Sequence, residues 1–457
     1  MNANIFRAYD IRGVYGEDLT KENAELIGKT YGTYMINNNV DTLVVGMDSR
    51  EHSPILKEGL IKGLVSTGVK VIDLGLVTTP IYYYSRVLYN VKPGIMITAS
   101  HNPPKYNGFK INTYGEDRMF GDEIQRFREL LEAGNFLIGN GSVEKRSPVD
   151  EYVKDIVSKC KIGNRKIKVV IDCGNGTAGI VAKKIFEGIG CEVIGLYCDI
   201  DPKQPNHIAD PAEAENLQDL IKTVKETNAD LGLGFDGDAD RIGLVDELGN
   251  VMFGDLYQII MLREEILKKY SGVKIPVEVK CTYSLFEEAE KLGGKPYYHK
   301  TGNSFFYHTM MNEDIPMTGE MSGHIFWKDN YYGFDDGIYS GCRFVRMLSN
   351  TNKKCSQLLD GVKRYPITPE IKIETTDDEK FKQVEKVLNY FKSKGENVID
   401  VDGVRVIFKN GWGLIRASNT SPSLSMRCEA KTQEELEKIK EIMLNALNSW
   451  KRNLNML

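Results

Sequence analysis

A strand–helix–glycine–strand series occurs three times in the first 300 residues, and it constrains the fold more than any other feature of the chain. Leu43-Val44-Val45-Gly46 is a short apolar run of the buried-strand type. A helical segment over Leu56–Thr67 follows, and Gly68-Val69-Lys70-Val71-Ile72 opens a second strand. Ile167–Asp172, Ala178–Ile189 and Gly190-Cys191-Glu192-Val193-Ile194 repeat the series. Val277–Lys280, Tyr283–Leu292 and Gly294-Lys295-Pro296-Tyr297 repeat it again. Strands joined through a helix run parallel, so the pattern predicts three related α/β units. Each is followed by a polar loop: Thr98–Asn102, Asp236–Arg241 and Gly319–His324. Loops beyond strand ends carry function in such folds, and three that face one point would share a cleft.

The remainder reads differently. Glu379–Lys394 and Thr432–Lys451 are helical by apolar periodicity, with strands Val404–Phe408, Gly413–Ser418 and Leu424–Glu429 between them. This predicts a small α+β domain. The expected organisation is therefore α/β domains at residues 1–147, 148–251 and 252–363, then the α+β domain at 364–457.

Composition excludes several classes. Lys and Arg number 59 against 64 Asp and Glu, so no basic footprint points to nucleic acid. No run of about 18 apolar residues exists to span a membrane. The start, Met1–Arg7, lacks a charged-then-apolar leader, and the eight cysteines are scattered without a C-x-x-C pair. A reduced, cytoplasmic chain is the expectation.

The loops hold the chemistry. Asp236-Gly237-Asp238-Ala239-Asp240-Arg241 sets carboxylates on alternate residues of a tight turn after the glycine-thinned segment Leu231–Phe235. Such a cluster of like charges costs stability unless a hard, oxygen-preferring cation offsets it. An EF-hand is a poorer reading: Glu247 falls at its twelfth position, but Arg241 occupies the sixth, where the loop needs glycine. Thr98-Ala99-Ser100-His101-Asn102-Pro103 follows the apolar strand Ile95–Ile97 and ends in Pro103-Pro104, so it presents a serine on a rigid turn. The adjacent His101 is poorly placed to activate that serine as a hydrolase base, and no G-x-S-x-G elbow is present. Phosphorylation fits better, because a phosphoserine could complete a cation's ligand set. Together the two loops point to metal-assisted phosphoryl transfer through Ser100.

Gly319–His324 carries Glu320, Ser322 and His324 on alternate residues, which share one side if the segment is extended. A carboxylate and a hydroxyl suit vicinal sugar hydroxyls. Arg416-Ala417-Ser418-Asn419-Thr420 reads as a phosphate grip, whereas Tyr9-Asp10-Ile11-Arg12-Gly13 is a weak signal that a tethered terminal strand would explain equally well. His52, His207, His299 and His308 lack the spacing of a zinc site.

These loops, in this order, resemble the α-D-phosphohexomutase superfamily, and within it the bacterial phosphomannomutase/phosphoglucomutase group. The resemblance runs from Phe6–Gly13 to Arg416–Pro422 and Met426-Arg427, and includes Tyr332–Ser340 and Asp402–Val406. It implies a four-domain fold around a central cleft, with three topologically similar mixed α/β domains and a C-terminal TATA-binding-protein-like α+β domain. It implies an intramolecular phosphotransferase that interconverts hexose 1-phosphate and hexose 6-phosphate, of mannose or glucose, through phosphoserine and a hexose 1,6-bisphosphate.

By the same resemblance Mg²⁺ is held by Asp236, Asp238, Asp240 and the phosphorylated Ser100, and the hexose 1,6-bisphosphate also acts as activator. Glu320, Ser322 and Lys280 would hold the sugar. Arg416, Ser418, Asn419 and Thr420, with Tyr9 and Arg12, would hold the non-reacting phosphate. Lys110, His324, Arg241 and His101 occupy positions near the chemistry, with Lys110 ranked first as base and His324 second; a lysine base requires a lowered pKa. The expected partners are small sugar phosphates, and the expected state is a monomer or weak homo-oligomer. Two residues depart from the pattern: Asn303 stands where relatives often have histidine, and Met47 where a charged or aromatic residue is frequent. Phosphoglucosamine mutase, a metal-dependent sugar-phosphate phosphatase and a bisphosphate synthase are the alternative readings.

Overall fold

The computed structural model describes residues 1–115, 118–419 and 421–454. The chain forms two compact units, the first from residues 1–257, 307–317 and 322–358, the second from 258–306, 318–321 and 359–457.

The first unit holds two sheets. In the six-stranded sheet, Thr42–Met47 lies between Lys70–Leu76 and Gly94–Ile97 and is parallel to both. Tyr106–Asn112 and Ile11–Val14 extend the sheet antiparallel beyond Gly94–Ile97, and Ser142–Lys145 closes the other edge. Helices Lys21–Asn37 and Ser53–Val65 cover one face. Their contact is intimate because it is made at glycines: a Cβ on Gly28 would meet the Leu60 carbonyl at 2.2 Å, and one on Gly63 the Glu25 carbonyl at 2.1 Å. Ile27, Tyr31, Leu60, Leu64, Ile95 and Phe109 fill the core beneath.

The five-stranded sheet has Lys168–Asp172 parallel to Glu192–Leu196 on one side and to Leu231–Phe235 on the other. Leu231–Phe235 then returns as Ile242–Asp246 in an antiparallel hairpin. Its thinning glycines have a packing cause. A Cβ on Gly232 would sit 2.8 Å from both Leu220 and Val224, the apolar face of helix Gln218–Thr227.

In the second unit, Lys274–Glu278 is parallel to Lys295–His299 across helix Tyr283–Lys291. All three predicted parallel pairs are thus present. The C-terminal region is an antiparallel five-stranded sheet, in the order Ile371–Glu374, Ser423–Ala430, Gly411–Ala417, Val404–Phe408 and Asn397–Ile399. Helices Asp377–Ser393 and Gln433–Leu454 accompany it, and Val404, Ile415, Met426, Ile439 and Met443 form its core. The second predicted helix differs in detail: Thr177–Ile180 is a 3₁₀ turn, and the α-helix spans Ala182–Ile189.

Candidate active site

Strand Gly94–Ile97 is buried along its whole length, and it delivers Ser100 onto a turn in the left-handed backbone region, at φ +52°. That conformation costs a non-glycine residue about 1–2 kcal/mol. Several bonds hold it. The Thr98 hydroxyl accepts from the Ser100 N–H at 2.9 Å. Buried Arg50 donates to the carbonyls of Ser100, Asn102, Pro103 and Tyr106 at 2.6–3.1 Å, while Asp48 holds its Nε at 3.1 Å. The result aims Ser100 Oγ at Asp236 Oδ2, 2.6 Å away, with His101 Nδ1 at 3.2 Å. Burial first, then the Arg241 and Arg12 charges, push the His101 pKa well below its ordinary value.

The hairpin turn carries Asp236, Asp238 and Asp240, all fully buried. One oxygen from each lies within 4.8 Å of the others. Gly237 makes the approach possible, since a Cβ there would meet the Ser100 carbonyl at 2.5 Å. Asp238 Oδ2 accepts from Thr79 Oγ1 at 2.6 Å, Lys110 Nζ at 2.7 Å and Thr98 Oγ1 at 3.1 Å. Asp240 Oδ2 is paired with the same Lys110 at 2.5 Å. Yet Asp238 Oδ1 and Asp240 Oδ1 are buried and have no hydrogen-bond partner among the described residues, although Asp240 Oδ1 lies 3.5 Å from His324 Nδ1. Burial, then the charges of Asp238 and Asp240, hold the Asp236 pKa well above the usual carboxylate range. Clustered carboxylates with oxygens that lack hydrogen bonds fit a hard divalent cation.

Burial alone would lower the Lys110 pKa, but Asp238 and Asp240 outweigh it and raise it well above the ordinary value. Lys110 is thus a fixed cation in this arrangement, opposite to what a base needs. Arg241 Nε donates to His324 Nε2 at 2.9 Å. Since arginine only donates, neutral His324 carries its proton on Nδ1, which lies 2.8 Å from Asp335 Oδ2. Arg118 pairs with Asp335 in turn and stacks over Tyr83, 4.4 Å from the ring centre. Arg12 pairs with Asp10 at 2.5 Å and donates to Asn102 Oδ1 at 3.0 Å, so it braces the serine loop. Tyr9 is half-buried just before the strand Ile11–Val14.

The expected alternation of Glu320, Ser322 and His324 does not hold. Residues 321–323 form a turn, and Gly323 at φ +96° reverses the chain. A Cβ at Gly323 would meet the Ile242 carbonyl at 2.3 Å. Ser322 is half-buried on that turn.

In the second unit, buried Glu320 accepts the Gly302 N–H at 2.8 Å. Lys280 lies between Glu370 at 3.2 Å and Glu278 at 3.4 Å, whose charges overcome burial and raise its pKa. Glu278 also accepts from Thr301 Oγ1 at 2.8 Å and from the Met321 N–H at 2.7 Å. Arg416 Nε pairs with Asp402 at 2.9 Å, and Arg416 Nη2 is buried with no hydrogen-bond partner among the described residues. Ser418 Oγ accepts from Ser421, and Asn419 donates to the Thr301 carbonyl at 3.3 Å. Thr420 lies outside the described residues. Asn303, the departing residue, is buried at the start of helix Asn303–Glu313. Met47 ends its strand and packs on the core.

Four family models match the chain in succession. Phosphoglucomutase/phosphomannomutase alpha/beta/alpha domains I, II and III match residues 3–135, 150–249 and 254–365, and the C-terminal domain matches 370–446. A phosphomannomutase/phosphoglucomutase of Pseudomonas putida is 44% identical over 444 residues, 97% of this chain and 95% of the relative. The chain belongs to the phosphoglucomutase/phosphomannomutase family. A phosphoglucomutase of Neisseria gonorrhoeae is 39% identical over 440 residues, 95% of each chain. The solved structure of a family protein from Burkholderia thailandensis superposes with a TM-score of 0.91 at 38% identity, covering 99% of this chain and 98% of the other. The four-domain α/β architecture of this family is therefore that of the present chain, and no helix among the described residues is long and apolar enough to cross a membrane.

For this phosphohexomutase, sequence reasoning did not single out Arg50, Thr79, Thr98, Arg118 or Asp335. Only the run Gly46-Met47-Asp48-Ser49-Arg50 beyond a buried strand offered a signal for Arg50. Arg118 and Asp335 lie 217 residues apart and leave no mark in local spacing.

Proposed function

We propose that this chain interconverts hexose 1-phosphates and hexose 6-phosphates, of glucose and mannose alike, through a phosphorylated Ser100. The observation that carries the reading is Ser100 Oγ, held in a left-handed turn 2.6 Å from a buried three-aspartate cluster with two oxygens that lack hydrogen bonds. Asp236, Asp238 and Asp240 would hold Mg²⁺ together with the phosphoserine. When bound, the cation would neutralise charge on the transferring phosphoryl group.

A sugar hydroxyl attacks the phosphorus of phosphoserine, the P–Oγ bond breaks, and a hexose 1,6-bisphosphate results. That bisphosphate turns around, and its other phosphate returns to Ser100. Arg50 and Thr98 hold the serine turn fixed through both transfers, because they bond its backbone rather than its hydroxyl. Proton transfer is assigned to Lys110 and His324. Asp238 and Asp240 keep Lys110 protonated, so a base role for it requires those carboxylates to be engaged elsewhere. His324 is oriented by Arg241 on one nitrogen and Asp335 on the other.

Glu320, Ser322 and Lys280 are proposed to hold the sugar. Glu320 and Ser322 would hold O3 and O4, which leaves C2 unread and supports use of both glucose and mannose. Arg416, Ser418, Asn419 and Thr420, with Tyr9 and Arg12, are proposed to hold the non-reacting phosphate. Arg416 Nη2, with no hydrogen-bond partner among the described residues, supports this, since a buried guanidinium N–H calls for an acceptor.

The test is turnover of glucose 1-phosphate and mannose 1-phosphate to their 6-phosphates, with Mg²⁺ and a trace of glucose 1,6-bisphosphate. Comparable rates, abolished in Ser100→Ala, are expected. Release of inorganic phosphate in place of isomerisation would refute the mutase reading.

A further inference from the structure

Two sulfur atoms outside the proposed catalytic groups lie close enough to react. Cys173 directly follows strand Lys168–Asp172, and Cys198 lies just beyond its parallel neighbour Glu192–Leu196. Their Sγ atoms are 3.4 Å apart. The two loops are laced together beyond the strand ends. The Cys173 N–H donates to the Leu196 carbonyl at 3.1 Å and the Asn175 N–H to the Tyr197 carbonyl at 2.9 Å. Asn175 Nδ2 donates to the Asp199 carbonyl at 2.8 Å. Gly195 leaves the room that Cys198 needs, because a Cβ there would sit 2.8 Å from its sulfur. Asn175 and Tyr197 are held at φ +57° and +51°, strain of about 1–3 kcal/mol each of a kind that gathers at functional sites.

The pair is asymmetric. Cys173 is fully buried, whereas Cys198 is partly exposed. The other six cysteines are all buried. The hydrogen bond between the two sulfurs lowers the Cys198 pKa, and the same bond with burial raises that of Cys173. The reachable sulfur is therefore also the better nucleophile.

The loop behind Cys173 supports the aspartate turn. Thr177 donates through both its N–H and its Oγ1 to the Gly237 carbonyl, each at 3.0 Å. Gly176 is pressed so close that a Cβ would meet that carbonyl at 2.9 Å.

We propose that Cys173 and Cys198 form a reversible thiol–disulfide pair, oxidised by a small-molecule disulfide, and that closing it weakens cation binding by the Asp236–Arg241 turn. The second half rests on the metal reading of that turn; the first does not. In the reaction, the Cys198 thiolate attacks one sulfur of the small disulfide, breaking its S–S bond and expelling one thiolate. Cys173 gives its proton to that thiolate and attacks Cys198 Sγ, expelling the second. Two electrons pass from the protein sulfurs to the small disulfide, which leaves as two thiols. The sulfurs must draw together from 3.4 Å to about 2.05 Å, which displaces the loop that abuts Gly237.

The test treats the full-length protein with oxidised glutathione, followed by non-reducing peptide mass spectrometry. A peptide linking Cys173 to Cys198, released by dithiothreitol and absent in Cys198→Ser and Cys173→Ser, is expected. A Cys198–glutathione adduct with no linked peptide would overturn the pair. The coupling is read by titrating Mg²⁺ against melting temperature. The oxidised protein should need ~10-fold more Mg²⁺ for the half-maximal rise, the scale on which groups behind metal ligands act. Oxidised Cys198→Ser should titrate like the reduced wild type. An unchanged Mg²⁺ midpoint after oxidation would overturn the coupling. No Mg²⁺ effect in the reduced protein would overturn the metal reading and the coupling with it, while the linked peptide would still stand.

Discussion

Gly237 and Ser100 meet at a tight tolerance beside the carboxylate cluster. One residue sits in a left-handed turn, and the other has no room for a methyl group against the first one's carbonyl. Both partners of that contact are backbone, so neither can move aside cheaply. Gly237→Ala should therefore fold, with near-native circular dichroism, yet displace the serine from the carboxylates. A 1 Å misplacement of reacting groups costs on the order of 100-fold. We expect a loss of that size in turnover, and activity within threefold of wild type would refute it. At this scale, Ser100 and the alternate aspartates were legible because their signals are local: a hydroxyl ahead of Pro103-Pro104, and carboxylates two residues apart. Arg50 and Asp335 were not, because the turn that Arg50 holds begins 50 residues on, at Ser100, and the arginine that pairs with Asp335 lies 217 residues away.

Among elements, the parallel pairs were legible because buried strands and their covering helices are continuous in apolar character. The terminal strand Ile11–Val14 was one reading of its segment, but the antiparallel strand Ile242–Asp246 was not foreseen, since it takes its meaning from a partner. In 320–324 the alternation required an extended segment, and the turn ending at Gly323, φ +96°, replaces it. A helix start supplies the second prediction. Asp336 caps helix Gly337–Ser349 by accepting the Tyr339 N–H at 2.8 Å, and it accepts hydroxyls from Tyr331 at 2.5 Å and Tyr152 at 2.8 Å. Burial nevertheless pushes its pKa up to about 6. A raised carboxyl pKa contributes stability that is complete below the unfolded value and lost as pH rises through the folded one. Asp336→Asn keeps the cap and removes the ionisation. Relative to wild type it should gain about 2 kcal/mol between about pH 4.5 and about pH 7.5, measured by urea unfolding. A pH-independent difference would refute the buried carboxyl's role.

For the molecule as a whole, the aspartate turn bears on stability as well as on the proposed chemistry. Three buried carboxylates within 4.8 Å of one another, balanced by Lys110 on Asp238 and Asp240 and by Arg241 at 4.0 Å from Asp236, leave the native state under electrostatic strain that a divalent cation would relieve. A ligand that binds only the folded chain stabilises it by about 2.7 kcal/mol at a hundredfold excess over its dissociation constant. The strain and the linkage predict the same result. Mg²⁺ should raise the melting temperature by several degrees, and EDTA should reverse the rise. Asp240→Asn should abolish the Mg²⁺ effect and, by removing one of the like charges, melt no lower than the metal-free wild type. A variant that kept the full Mg²⁺-dependent rise would place the cation elsewhere. One that melted well below the metal-free wild type would show that the Lys110–Asp240 pair stabilises the fold more than the repulsion it offsets.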